Sequence, residues 1–274
     1  MTKRIMKLMK HNILVTIVLV GFFLVAQFLG MIIVDRYNTV GTRLPYNIER
    51  PQFEKSTSYI NIAIMVLIAT VIALLIMRFK AVNFFRLWFF IGIAFLLTVS
   101  FAAFLRQSVA LLLALVFSGW RIAKNNVYIQ NFTELFVYGG LATLFANSLN
   151  VFSASILLII ISIYDMIAVW KTKHMIDLAK FQTKSKVFAG FLIPYKKGTA
   201  ILGGGDVAFT LLFAVSAVSL GKLVYIIPVF SAASLFLLFY YAKKKKFYPA
   251  MPFLSLGCFA GYFVAKVLEL FLFN

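Results

Sequence analysis

The chain has 274 residues, 63% of them hydrophobic, with a mean hydropathy of +0.97 and only 13% charged residues. That mixture excludes a soluble globular domain and points to a polytopic membrane protein. A formal net charge of +19 would suit nucleic acid, but the basic residues cluster in short connections between apolar runs, the pattern that orients membrane proteins, so no nucleic-acid partner is expected.

In chain order, a basic stretch with Lys3, Arg4, Lys7 and Lys10 precedes residues 13–34. These 22 apolar residues lack an Ala-x-Ala cleavage signal, so they predict a first transmembrane helix rather than a removed signal peptide. Residues 35–58, with Pro45, Pro51 and mixed charges, predict an external loop. Helix two is expected over 59–77, and helix three over 87–105 after a loop with Arg78, Lys80 and Arg86. Residues 109–120 are short of the roughly 20 needed to span, so helix four either extends through Gln107 and Ala123 or is short and tilted. Helix five (132–146) is parted from helix six (151–170) by a turn at Asn147, Ser148 and Asn150. The connection 171–205 carries seven lysines and an apolar island, 187–194. Helix seven is expected over 206–220, helix eight over 223–242 up to four consecutive lysines, 243–246, and helix nine over 252–273. The fold expected is an all-α integral membrane protein, one polytopic domain of nine transmembrane helices.

An odd number of spans puts the termini on opposite sides. With the N-terminus cytoplasmic, inside segments hold 20 Lys/Arg and outside segments 6, with Lys266 inside helix nine; the bias orients the C-terminus outside. Cys258 is the single cysteine and can form no internal disulfide. His11 and His174 are far apart and belong to no His-Glu-x-x-His arrangement, so neither a metal nor another cofactor is expected.

Two acids then stand out. Asp165 lies in the sixth apolar run and Asp206 opens the seventh behind Gly203, Gly204 and Gly205; a charge in a bilayer costs several kcal/mol, about 3 on insertion scales, which marks such residues as functional candidates. Helix six runs inward and Asp165 is five residues from Trp170, about 7.5 Å from the inner end at roughly 1.5 Å per residue. Helix seven starts on that side, as does helix nine behind Tyr248, Pro249, Ala250, Met251 and Pro252. Two carboxylates at one depth suit aspartic proteolysis, in which the pair shares a proton and one member acts as base on water, the other as acid toward the carbonyl. The glycines allow an unwound backbone where it lines a polar cavity.

Tyr164-Asp165, the Gly-x-Gly-Asp of Gly203 to Asp206, and Pro249-Ala250-Met251 together resemble the three signatures of the presenilin and signal peptide peptidase family, in order, helix number and orientation. Gly-x-Gly-Asp alone also occurs in type IV prepilin peptidases. The family's third motif is Pro-Ala-Leu; methionine here is near-isosteric. The resemblance implies that Asp165 and Asp206 are catalytic, that Tyr164, Leu202, Gly203, Gly204, Gly205, Pro249, Ala250 and Met251 shape the site, and that the chain is a prokaryotic member with the presenilin orientation. Its expected partners are single-span membrane proteins or signal and remnant peptides as substrates, membrane lipid, and a second copy of itself as a homo-oligomer. A substrate helix must be held extended for cleavage, and residues 199–202 are expected to pair with it as a short strand, with the Leu202 N–H as a donor, while Pro249 and Pro252 bias their neighbours to extended backbone.

Other readings exist for the same residues. The aspartates suit an ion- or proton-coupled transporter or a cation channel, although no inverted repeat is visible, or a non-catalytic scaffold in which an acid pairs with Lys266 or a backbone group. No Gly-x-Ser supports a rhomboid-like serine protease. Lys266 and Glu269 are expected to pair and snorkel near the outer end of helix nine, Glu134 to suit the dipole at the start of helix five, and Asp177 to be a solvated loop residue. The lysine-rich connection also suits anionic lipid. The charge bias predicts that a reporter fused after Asn274 is accessible only from the outer face; a cytoplasmic reporter signal overturns the orientation.

Overall fold

The computed structural model describes residues 13–39, 43–79, 81–124, 126–172, 178, 181, 187–195, 198–242 and 248–273. The readings of the N-terminal basic stretch, His11, His174, Asp177, most of the lysine-rich connection and the lysines at 243–246 lie outside these residues. Among the described residues there are nine α-helices: α1 (Ile13–Thr39), α2 (Ser58–Arg78), α3 (Val82–Ala102), α4 (Gln107–Ala123), α5 (Val127–Phe145), α6 (Val151–Met166), α7 (Gly204–Ser216), α8 (Ile226–Tyr241) and α9 (Met251–Phe273).

Six helical stretches are long and apolar enough to cross a membrane: α1, α2, α3, α6 with the π-helical turn Ile167–Lys171 that continues it, α8 with the 3-10 segment before it, and α9. The shorter α4 and α7 and the more polar α5 stand apart. Helix four takes the longer of its two expected ranges. Helix three begins before Arg86 rather than after it, because a basic residue near a helix start extends its stem and does not break the helix. The turn at 147–150 is present, with Asn150 capping α6 by accepting the Ser153 N–H at 2.8 Å. Helix five starts at Val127, earlier than expected, because Asn126 caps it through Tyr128 N–H at 2.8 Å. Helix seven ends at Ser216, and the chain passes through a 3-10 segment, Val218–Tyr225, in which Gly221 takes φ 58°.

An all-α reading misses a two-stranded antiparallel sheet, β1 (Gly190–Tyr195) and β2 (Gly198–Gly203), with Phe191 opposite Leu202 and Leu192 opposite Ile201. The apolar island at 187–194 supplies most of β1. Gly190 has φ +136°, where an L side chain is strained, and a Cβ there would run into the Leu202 carbonyl. Asn131 of α5 takes both backbone groups of Leu192, donating to its carbonyl at 2.8 Å and accepting its N–H at 3.0 Å. In an antiparallel ladder this makes Leu192 and Ile201 a pair whose N–H and C=O point away from the hairpin. Thr199 and Ile201 therefore face outward on β2, whereas Leu202 turns its N–H toward β1. The donor expected from Leu202 belongs instead to Ile201, because the side-chain clamp on Leu192 fixes the phase of the ladder.

The core is built around α7, which packs against α1, α5, α6, α8 and α9. At 13 residues it is about 20 Å long, short of the roughly 30 Å hydrocarbon layer. Irregular backbone at both its ends is tolerated because protein rather than lipid surrounds it. Helices α8 and α9 approach closely where Gly257 and Gly261 meet the backbone of Ser231 and Ile227, the use of small residues expected where apolar lipid gives helices no hydrophobic drive to associate. Of the six spans α2 is the least buried.

Two expectations for charged residues separate here. Lys266 and Glu269 do pair, at 2.7 Å on the exposed side of α9. Glu134, however, is not a first-turn residue: it lies two turns inside α5, buried, in an ion pair with Arg121 of α4. Arg121, one of the 20 Lys/Arg that the charge bias assigns to inside segments, is 4% exposed, donates to Thr133 Oγ1 at 2.8 Å and to the Phe188 carbonyl at 2.7 Å, and lies over the Phe89 ring. Removing one member strands the other, so Arg121→Ala should cost roughly 3 kcal/mol or more of stability. Thermal unfolding in detergent should show this loss, and Arg121→Met with Glu134→Leu should recover most of it.

Candidate active site

Asp165 is the penultimate residue of α6, two residues before the π-helical turn begins at Ile167, and is 8% exposed. The backbone N–H of Met251, the first residue of α9, donates to its Oδ2 at 3.1 Å. First-turn N–H groups have no partner within their own helix and carry positive dipole, so the carboxylate closes the N-terminus of α9. The Pro-Ala-Met motif thus reaches the first aspartate through its backbone.

Asp206 is the third residue of α7, with Gly203 at the N-cap. Its carboxylate lies back against Gly203, where an added Cβ would stand 3.2 Å from Oδ2. The turn beneath it is held from α1: Gln27 Nε2 donates to the Val207 carbonyl at 2.9 Å and to Thr210 Oγ1 at 2.8 Å, and Thr210 Oγ1 donates to the Asp206 carbonyl at 2.8 Å. A buried amide deep in an apolar helix is costly unless paired, so this lock fixes the height and rotation of α7 against α1.

Both aspartates line one cavity of about 1140 Å³. This exceeds the roughly 300–1,000 Å³ of ordinary small-molecule sites. Part of its lining comes from α2 and α3, through residues such as Thr70 and Trp88, and part from β2 and the start of α7. Of the residues picked out in the sequence, Tyr164, Asp165, Leu202, Gly203, Gly204, Gly205, Asp206, Ala250 and Met251 all line it. Pro249 does not, although its neighbours Tyr248 and Ala250 do.

Residues 18–208 match the family described as signal-peptide peptidase, presenilin aspartyl protease. The chain belongs to that family. The matched stretch contains both aspartates and stops before Pro249. Among solved structures, the chain is similar to a presenilin family intramembrane aspartate protease in two crystal forms. In the C222 form the identity is 20%, covering 92% of this chain and 99% of that one, with a TM-score of 0.65. In the P2 form the identity is again 20%, covering 91% and 96%, with a TM-score of 0.66. No curated protein matches. With its apolar helices, this makes the chain a multi-pass membrane protein of presenilin fold, whose family and structural neighbours are intramembrane aspartate proteases.

Sequence reasoning passed over Gln27, Arg121, Gln130 and Asn131 and gave Glu134 only a helix-dipole role. A signal existed for three of them: Gln27 is an amide inside the first apolar run, and Gln130 and Glu134 stand four apart, on one face of a helix. The close approach at Gly203 yields a test. Gly203→Ala places a methyl carbon against the Asp206 carboxylate, so turnover in a proteolysis assay should fall roughly 10- to 100-fold, with thermal unfolding near that of the unaltered protein.

Proposed function

We propose that the chain is an intramembrane aspartyl endopeptidase of the Gly-x-Gly-Asp type that hydrolyses peptide bonds within transmembrane segments of single-span membrane proteins or of signal and remnant peptides. The observation that carries the reading is that carboxylates from two helices line one cavity bounded by spans and lying against the outward edge of β2. Family membership supports the reaction class and lends nothing to the transporter or channel alternative.

The chemistry follows from the pair. One carboxylate takes a proton from a water whose oxygen adds to the scissile carbonyl carbon, and the other, protonated, gives its proton to the carbonyl oxygen, so that a neutral tetrahedral diol forms. Collapse breaks the C–N bond, with a proton passing to the leaving nitrogen, and the pair returns to its shared-proton state. The Met251 N–H contact holds the Asp165 carboxylate in one orientation, while Gly203 leaves room for the Asp206 carboxylate and the Gln27 lock holds the helical turn that carries it. Holding the groups in place before reaction lowers the reorganisation that attack on the carbonyl requires.

A substrate helix hides its carbonyls in its own hydrogen bonds and must be extended before attack. The outward N–H and C=O groups of Thr199 and Ile201 offer strand addition, a few residues from Asp206 in the chain. Backbone pairing asks little of substrate sequence, which suits an enzyme acting on apolar helices that look much alike.

Replacing Asp165 or Asp206 by Asn should lower cleavage of a single-span substrate by at least about 10²-fold in protein that still folds, and peptidomimetics with a hydroxyl at the scissile position should inhibit. Full cleavage by Asp206→Asn rejects the mechanism. Pro249→Ala should impair cleavage and Met251→Leu should be nearly silent, because the donor to Asp165 is backbone.

The strand has its own measurement. Ile201→Pro removes an outward donor without touching the β1 ladder, the placement at which proline is tolerated. The loss of one hydrogen bond, about 1 kcal/mol, should lower kcat/KM roughly fivefold; unchanged kinetics remove strand addition from the mechanism.

A further inference from the structure

We infer that the polar face shared by α4 and α5, made of Arg121, Gln130, Asn131 and Glu134, is a set of positioning residues that fixes the register of the β1–β2 hairpin against the aspartates and thereby selects which peptide bond is cut. The inference rests on the reading that substrate adds to β2.

All four side chains are buried, between 2% and 6% exposed. Three of them spend their hydrogen bonds on the backbone of one short segment. Asn131 takes the N–H and the C=O of Leu192. Gln130 Nε2 donates to the carbonyls of Gly190 at 3.0 Å and Phe188 at 3.3 Å. Arg121 donates to the Phe188 carbonyl as well, and its charge is neutralised by Glu134, which lines the cavity.

The outer edge of β1 is therefore occupied by side chains fixed on helices, as if by a third strand. Along a strand, backbone groups repeat without regard to sequence, so a hairpin held only by apolar contacts has neighbouring registers of similar energy. Polar side chains at fixed points on α5 remove that degeneracy, since a slip of one residue, about 3.3 Å, turns the clamped groups to the other side. Such polar contacts are a costly way to gain stability in an apolar surround, and fixing a register is the best-attested use of buried polar groups.

The consequence lies in where the cut falls. A strand laid on Thr199 and Ile201 is carried by β2, β2 is paired residue for residue with β1, and β1 is pinned by α5. The height of the scissile bond over Asp165 and Asp206 is thus set from α5, chiefly by Gln130 and Asn131, which do not line the cavity.

The test uses the full chain with a single-span substrate and reads both the rate and the masses of the cleavage products. Asn131→Leu should change the ratio of products cut at adjacent bonds at least twofold, whatever its effect on total rate. Asn150→Ala, which removes a helix cap remote from the hairpin, should lower stability and yield while leaving the ratio as it was. If Asn131→Leu does not fold, Gln130→Met, which keeps the Asn131 clamp, carries the same expectation. Unaltered product ratios in the folded variant overturn the inference. Ile201→Pro separates the two failures: lowered turnover there with unaltered ratios in Asn131→Leu sinks the register role alone, whereas unaltered turnover in Ile201→Pro sinks strand addition and the register role with it.

Discussion

The structure depends on one constraint: backbone that leaves helical geometry at membrane depth must find hydrogen-bond partners within the protein. The hairpin leaves helical geometry next to the aspartates up to the extended Gly203, and Gly204 and Gly205, expected to be unwound, are already helical because α7 starts directly after the strand. Partners are supplied by side chains that would otherwise be out of place in apolar helices, Asn131 on Leu192, Gln130 and Arg121 on the turn before it, and Gln27 on the first turn of α7. An acid, Glu134, is then required because Arg121 is buried. Asn131, Gln130 and Arg121 can each be traced to backbone groups of the hairpin segment.

The same economy governs the two aspartates. Each sits at a helix N-terminus, Asp165 against α9 and Asp206 in the first turn of α7, where unpaired N–H groups and the helix dipole favour a carboxylate. The third motif contacts Asp165 through a main-chain donor, which explains physically how methionine can stand where the family has leucine. The shortness of α7 is part of this design. A helix of 13 residues is shorter than the hydrocarbon layer is thick, so both its ends cannot reach the layer's two surfaces, and the acid at its start faces the cavity between spans.

Most of the helices were legible in the sequence because burial in lipid is a local property: an apolar run of 20 residues declares itself without reference to its neighbours. The aspartates were legible for the converse reason, since a charge in such a run is conspicuous. Tyr164-Asp165, Gly203 to Asp206 and Pro249 to Met251 fell into one frame because the order and direction of the helices brought their ends to one side. Arg121 and Glu134 were not legible as partners. A basic residue between two apolar runs looks the same whether it faces water or a buried carboxylate 13 positions later, and the apolar-run boundary set helix five to start after Gln130 and Asn131, which placed them in a loop.

By itself, then, the amino-acid order determined the membrane class, the approximate helices and the two acids, because hydropathy, charge and motif spacing are read along the chain. Tertiary structure decided the hairpin in the lysine-rich connection, the outward phase of Ile201 rather than Leu202, the burial of Arg121 and the shared cavity. Each of these is fixed by a partner far away in sequence, as when Asn131 sets the direction of every rung between β1 and β2 by holding Leu192, 61 positions on.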